Sequence, residues 1–215
     1  MIRPCVILVA DSNMAAVFKG FFSRDRWDLS LGCSRFDFNA ELGGDLLVPD
    51  DADPGVFTRA HSYLDTYRFS HSHAIVVLDC EWEGFPGRDA IVTHITANLV
   101  ASGWAEDAVK VIAIEPELEN WLWQDKPQVA DVLRYKGDKS LRQHLAESGW
   151  WPADAAKPPR PKEAAEWVLK QTRQPRSSAI YQKLAEHISI KGCTDAAFAE
   201  MHAAFLAWFP VEAAA

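Results

Sequence analysis

Residues 73–87 read HAIVVLDCEWEGFPG. From His73 to Leu78 the run is almost wholly apolar, as for a strand covered on both faces. It ends in Asp79, and Gly84, Pro86 and Gly87 break the loop that follows. Two more runs of the same kind lie on either side. CVILVA (5–10) stops at Asp11-Ser12-Asn13, residues suited to cap a helix that runs through Phe22. VKVIAIE (109–115) is closed by Pro116 and leads into a short predicted helix over 117–124. Between these strands the spacing predicts helices over 56–67 and 88–102, the latter ending at Gly103. Residues 33–39, CSRFDFN, alternate as a further strand, and GGDLLVPDDADPG (43–55) reads as a loop. Strand and helix therefore alternate, which predicts an α/β fold with a mainly parallel sheet flanked by helices.

After residue 125 no strand pattern remains. Helical spacing recurs over 127–134, 138–148, 161–173, 177–189 and 194–208, with the Pro-rich WPADAAKPPRP (151–161) as a linker. The expected organisation is an α/β domain over 1–125 and a helical C-terminal region over 126–215 packed on it. The 215 residues suffice for a core without staples, and 48% hydrophobic with 24% charged residues is the composition of a folded chain. No apolar stretch approaches the ~20 residues that span a bilayer. MIRPCVILVADSN is too short in its apolar run, and wrongly flanked, for a signal peptide. Cys5, Cys33, Cys80 and Cys193 are far apart and form no CxxC pair, so the expectation is reduced thiols in a cytoplasmic protein without a paired-cysteine zinc site.

Charge is unevenly spread. Residues 1–135 hold 11 basic and 21 acidic residues, whereas 157–191 hold eight basic and three acidic. In an open parallel sheet, ligands sit at the carboxyl ends of the strands. Here each of the three clear strands ends in an acid: Asp11, then Asp79 with Glu81 and Glu83, then Glu115 with Glu117 and Glu119. If these strands are neighbours, up to seven carboxylates converge on one edge. Their repulsion calls for a cation, and Mg²⁺ or Mn²⁺ prefers such oxygen donors. Capping is the competing explanation, strongest for Asp11, Glu117 and Glu119, which stand at helix starts. It accounts less well for an apolar strand that runs straight into D-x-E-x-E.

Asp79-Cys80-Glu81 behind HAIVVL resembles the D-x-D element of Toprim-type domains, which occur in topoisomerases, primases and overcoming-lysogenization-type nucleases. VADSNM, HAIVVLDCEWEG, IEPELENWLW and the tail segments from PKEAAEWVL to FLAWFP, in that order, resemble Toprim-related bacterial proteins encoded with anti-phage, methylation-associated defence systems. The resemblance covers nearly the whole chain. It implies a Toprim-like sheet and a divalent-metal site for phosphodiester chemistry. Asp79 and Glu81 would hold the ion, Asp11 would bind it or orient water, and Glu115 or Glu117 would serve a second ion or an outer shell. Asp11 stands where the family has Glu, and Glu81 where it has Asp.

On that reading Asp11, Asp79 and Glu81 are the catalytic candidates, and the expected function is that of a Mg²⁺- or Mn²⁺-dependent nuclease or other phosphodiester-acting protein of a bacterial defence system. Lys162 and Arg176 would offset phosphate charge. Trp82, between two acids in a loop, would contact nucleic acid, while Trp121, Trp123, Trp150 and Trp151 read first as packing residues. The alternative is a non-catalytic subunit that binds a protein partner of its operon or nucleic acid. A phosphatase or phosphotransferase of small molecules also fits a carboxylate edge. His61, His71, His73 and His94 lack ligand spacing. The chain contains no P-loop, dinucleotide or G-x-S-x-G fingerprint.

Overall fold

The computed structural model describes residues 2–41, 43–189, 191 and 193–211. Strand β1 (Arg3–Val9) leads into helices α1 (Ser12–Phe22) and α2 (Trp27–Leu31), then into an irregular segment that reaches the two-residue strand β2 (Leu46–Leu47). Helix α3 (Ala52–Leu64) connects to β3 (His71–Asp79), and α4 (Arg88–Ala101) connects β3 to β4 (Val109–Ile114). The rest is helical: α5 (Glu119–Leu122), α6 (Pro127–Val132), α7 (Leu141–Glu147), α8 (Pro161–Gln171), α9 (Ser178–His187) and α10 (Ala196–Trp208).

The four strands form one parallel sheet in the order β2-β1-β3-β4. Ile7 stands opposite Ile75, and Val77 opposite Ile112. Val6 to Val9 and Ala74 to Leu78 are all 0–1% exposed, which is why these strands read as unbroken apolar runs. Helices α3 and α4 pack on each other and on β3 and β4, while α1 packs on β1 and α9, and α10 on β4. The chain steps outward from β1 to β2 and then crosses back to β3 on the other side of β1. With right-handed crossovers, α1 lies on one face and α3 and α4 on the other, and the order reverses between β1 and β3, the position at which open parallel sheets bind ligands.

Residues 33–39 are irregular, not a strand. Their alternation records side-chain burial without a ladder. Phe36 and Phe38 turn into an aromatic cluster, with ring centroids 4.2 Å apart for Phe22–Phe38, 4.8 Å for Trp27–Phe36 and 4.0 Å for Phe36–Phe209. The edge strand lies instead within the stretch read as loop, because Asp45 pins it. The Asp45 carboxylate, 1% exposed, pairs with Arg3, lies 3.0 Å from His71 Nε2 and accepts the Asn39 amide at 2.6 Å. Burial works to raise its pKa, and these hydrogen bonds outweigh burial and leave it below the ordinary carboxylate range. Among the described residues, no helix is long and apolar enough to cross a membrane.

Candidate functional site

The carboxyl ends of β1 and β3, where the strand order reverses, carry the acids that end those strands. Asp11 follows β1 in extended conformation (φ −145°, ψ 173°), and its Oδ1 accepts the Met14 amide at 2.7 Å, which caps α1. Asp79 is the last residue of β3. Its own amide donates to Asp53 Oδ1 at 2.8 Å, and Asp53 lies in the first turn of α3. The next amide, that of Cys80, donates to the carbonyls of Ile114 (2.9 Å) and Pro116 (3.2 Å) and so ties the end of β3 to the end of β4.

The Asp79 carboxyl is the unusual group. Its Oδ1 is fully buried and has no hydrogen-bond partner among the described residues. Burial, followed by repulsion from Asp53, Glu119, Asp11 and Glu117, pushes its pKa well above the carboxylate range. Asp53 is raised as well, by burial and by Asp11, against the hydrogen bond it receives from Asp79. These acids therefore feel one another at this edge.

Glu117 and Glu119, both 3% exposed, are turned toward the helical tail. Glu117 accepts the Lys162 amide at 3.1 Å with one oxygen and faces Lys162 Nζ at 3.4 Å with the other. Helix α8 has no side-chain cap of its own, so Glu117 serves as one from outside. Burial and the neighbouring Glu119 and Glu81 push Glu117 up to about 7 despite Lys162. Glu119 accepts from Arg176 Nη2 at 2.8 Å and from the Tyr181 hydroxyl, and Arg176 Nε donates to that hydroxyl at 2.8 Å. Burial works against the charge on Arg176, but its contacts with Tyr181, Glu119 and Glu166 prevail and raise its pKa.

The structure thus brings Asp11, Asp79, Glu117, Lys162 and Arg176 to one edge. Glu81 is exposed in the loop behind β3, where its charge is felt at Glu117. Glu115 is exposed and its charge is felt at Cys80, whose thiol burial and Glu115 push up to about 12. Trp82 packs on Phe57 and Phe85, each with ring centroids 6.0 Å away, and is half-buried. Trp121, Trp123 and Trp151 are core residues at 2–3% exposure.

Asp53 and Tyr181 escaped the sequence reading. Asp53 sits in DDADPG, where turn residues and a helix start explain an acid without a site. The usable signal was topological, since every helix that follows a parallel strand starts at the carboxyl edge. Placing the edge strand at 46–47 would have put Asp53 there. Tyr181 carries no local signal, because its partner is 62 residues away.

Among the described residues, no three His, Cys, Asp or Glu side chains are arranged around one point to hold a metal ion. The donor chemistry nonetheless suits a hard cation. Asp79 Oδ1 is a buried acceptor without a donor, and Mg²⁺ binds through one or two carboxylates with water and substrate oxygens completing its shell. No family model matches the chain, and no curated protein and no solved structure matches it.

Proposed function

We propose that this chain acts on phosphodiesters with Mg²⁺ or Mn²⁺ at the carboxyl edge, as a nuclease of the bacterial, cytoplasmic defence setting that its sequence resembles. The observation that carries this reading is the buried Asp79 oxygen without a partner, amid four other acids at the point where the strand order reverses. Placing a carboxyl there costs stability, and the group has no structural work that would offset the cost.

Asp79 and Asp53 would hold the ion, with water and substrate oxygens completing its shell. A divalent cation there supplies Lewis-acid stabilisation of the charge that develops on a phosphodiester. The chain's own groups do the rest. Asp11, fixed by its bond to Met14, orients water with its free oxygen, and Glu81 stands at the solvent side. Lys162 and Arg176 already lie beside the acids, so a phosphate approaching this edge meets positive charge without a large rearrangement.

A second reading, a non-catalytic subunit that binds a protein partner of its operon or nucleic acid, draws support from those same ion pairs. Glu117 and Glu119 are each occupied by a tail cation, and Asp11 by a cap. The test is cleavage of single- and double-stranded DNA and RNA by the purified chain in Mg²⁺, Mn²⁺ and EDTA. The nuclease reading expects metal-dependent cleavage that Asp79→Asn abolishes. Absence of cleavage by the wild-type chain on all four substrates would leave the subunit reading in its place.

A further inference from the structure

The amino ends of the strands carry a second cluster, on the sheet edge opposite the acids. Arg3 opens β1, Asp45 stands just before β2, and His71 opens β3. Asp45 and His71 are 1% and 7% exposed, whereas Ser70, the residue before β3, is exposed. Two contacts join these three side chains in line. His71 Nε2 lies 3.0 Å from Asp45 Oδ1, and His71 Nδ1 lies 2.9 Å from Ser70 Oγ.

The acid decides where the protons sit. Asp45 is held charged by Arg3 and by the Asn39 amide, so it can only accept, and the donor facing it is the Nε2–H of His71. In the neutral imidazole that leaves Nδ1 as an acceptor. The Ser70 hydroxyl has one proton to give. Nδ1 at 2.9 Å and the Tyr67 carbonyl at 3.3 Å are both within reach, and the imidazole is the nearer. A hydroxyl bonded to a base, with the base oriented by a third group, is the arrangement that activates a serine nucleophile. The two ring nitrogens are exchanged relative to the usual triad. Either can take a proton, because the bond made by one sets the role of the other.

Pinning of β2 accounts for His71 on Asp45, but it needs no hydroxyl on Nδ1. The surroundings of Ser70 indicate what would meet it. Phe69, next in the chain, is 71% exposed. Ile2 is 66% exposed and precedes Arg3, whose amide donates to the Ser70 carbonyl at 2.7 Å. Two large apolar side chains left in water beside an activated hydroxyl suit an ester with an apolar group.

We propose that Ser70, His71 and Asp45 form a hydrolytic site for carboxylic esters of apolar character. Ser70 Oγ bonds to the ester carbonyl carbon as its proton passes to His71 Nδ1. The carbon–oxygen bond to the alcohol breaks, and the leaving oxygen takes that proton. Water then adds to the acyl-serine by the same route, which releases the acid and restores the hydroxyl. Asp45 is a positioning residue that holds the Nε2–H and offsets the charge of the imidazolium. These steps call for no metal, so EDTA separates them from the reaction proposed at the carboxyl edge.

The test treats the full chain in EDTA with an alkyl fluorophosphonate, which reacts with activated serines. Peptide mass spectrometry locates the label, and hydrolysis of p-nitrophenyl butyrate is followed alongside. Label is expected on Ser70 of the folded chain and not on the chain unfolded in urea. Ester turnover is expected to disappear in Ser70→Ala. His71→Gln removes the base and is expected to slow labelling by about 100-fold or more. Ser70→Ala changes an exposed side chain and leaves the His71–Asp45 contact in place, so it keeps the test decisive should His71→Gln fail to fold. An unlabelled Ser70, equal labelling of the unfolded chain, a folded His71→Gln labelled at the wild-type rate, or a labelled Ser70 without ester turnover would overturn the proposal.

Discussion

Glu117 shows how one residue can serve the fold and strain it at once. It caps α8 through the Lys162 amide, yet burial beside Glu119 raises its pKa to about 7 from an ordinary 4.5. The folded chain therefore holds this proton at pH values where the unfolded chain has released it. Stability falls as pH rises through the interval from about 4.5 to 7, and the penalty is complete above it. Glu117→Gln keeps an acceptor for the Lys162 amide and removes the titration. Melting temperatures measured across that interval are expected to decline for the wild type and to decline less for the variant; parallel curves would contradict the assignment. Asp79 and Asp11 were legible because each ends an apolar run. Asp53 was not, because an acid before Pro at a helix start is ordinary, and only the fold shows that its oxygen receives the Asp79 amide.

At the scale of elements, the α1–α9 contact decides how the tail sits on the sheet. Gly20 lies within α1, where glycine costs helix stability, and a Cβ there would run into the Gln182 carbonyl of α9. The two backbones approach at this point because no side chain stands between them. Gly20→Ala would gain helix propensity and still destabilise, by about 1–3 kcal/mol, as an overpacked contact does. A chemical denaturation curve is the measurement, and a stabilised variant would contradict the close approach.

Periodicity made the long helices and the three buried strands readable, since each has one continuous environment along its length. It failed at 33–39, where alternating Phe36 and Phe38 follow the shape of an aromatic cluster. It failed again at Leu46–Leu47, where two residues are too few to carry a pattern, and pinning by Asp45 makes the strand.

On the scale of the whole molecule, the acidic front and the basic stretch of the tail are two sides of one junction. Lys162 meets Glu117 and Arg176 meets Glu119, so part of the charge asymmetry visible in the sequence is spent inside the protein. Arg176→Ala leaves Glu119 buried with only the Tyr181 hydroxyl. A loss of about 3 kcal/mol is expected, read as a lower denaturation midpoint. A midpoint within error of the wild type would mean that the junction is held by apolar packing alone. The sequence indicated that acids and bases matter at this edge. Which acid faces which base depends on contacts between residues 45 and 57 positions apart, and no local pattern encodes them.

The central claim is that Asp79 is kept unpaired for a divalent cation. Its most direct test is a thermal melt of the wild type and of Asp79→Asn in EDTA, Mg²⁺ and Mn²⁺. In EDTA the variant is expected to melt higher than the wild type, because a buried and repelled carboxylate has been neutralised. Metal is expected to raise the wild type, as any ligand of the native state does, and to leave the variant unmoved. A wild type indifferent to both ions, or a variant that responds as the wild type does, would contradict the claim.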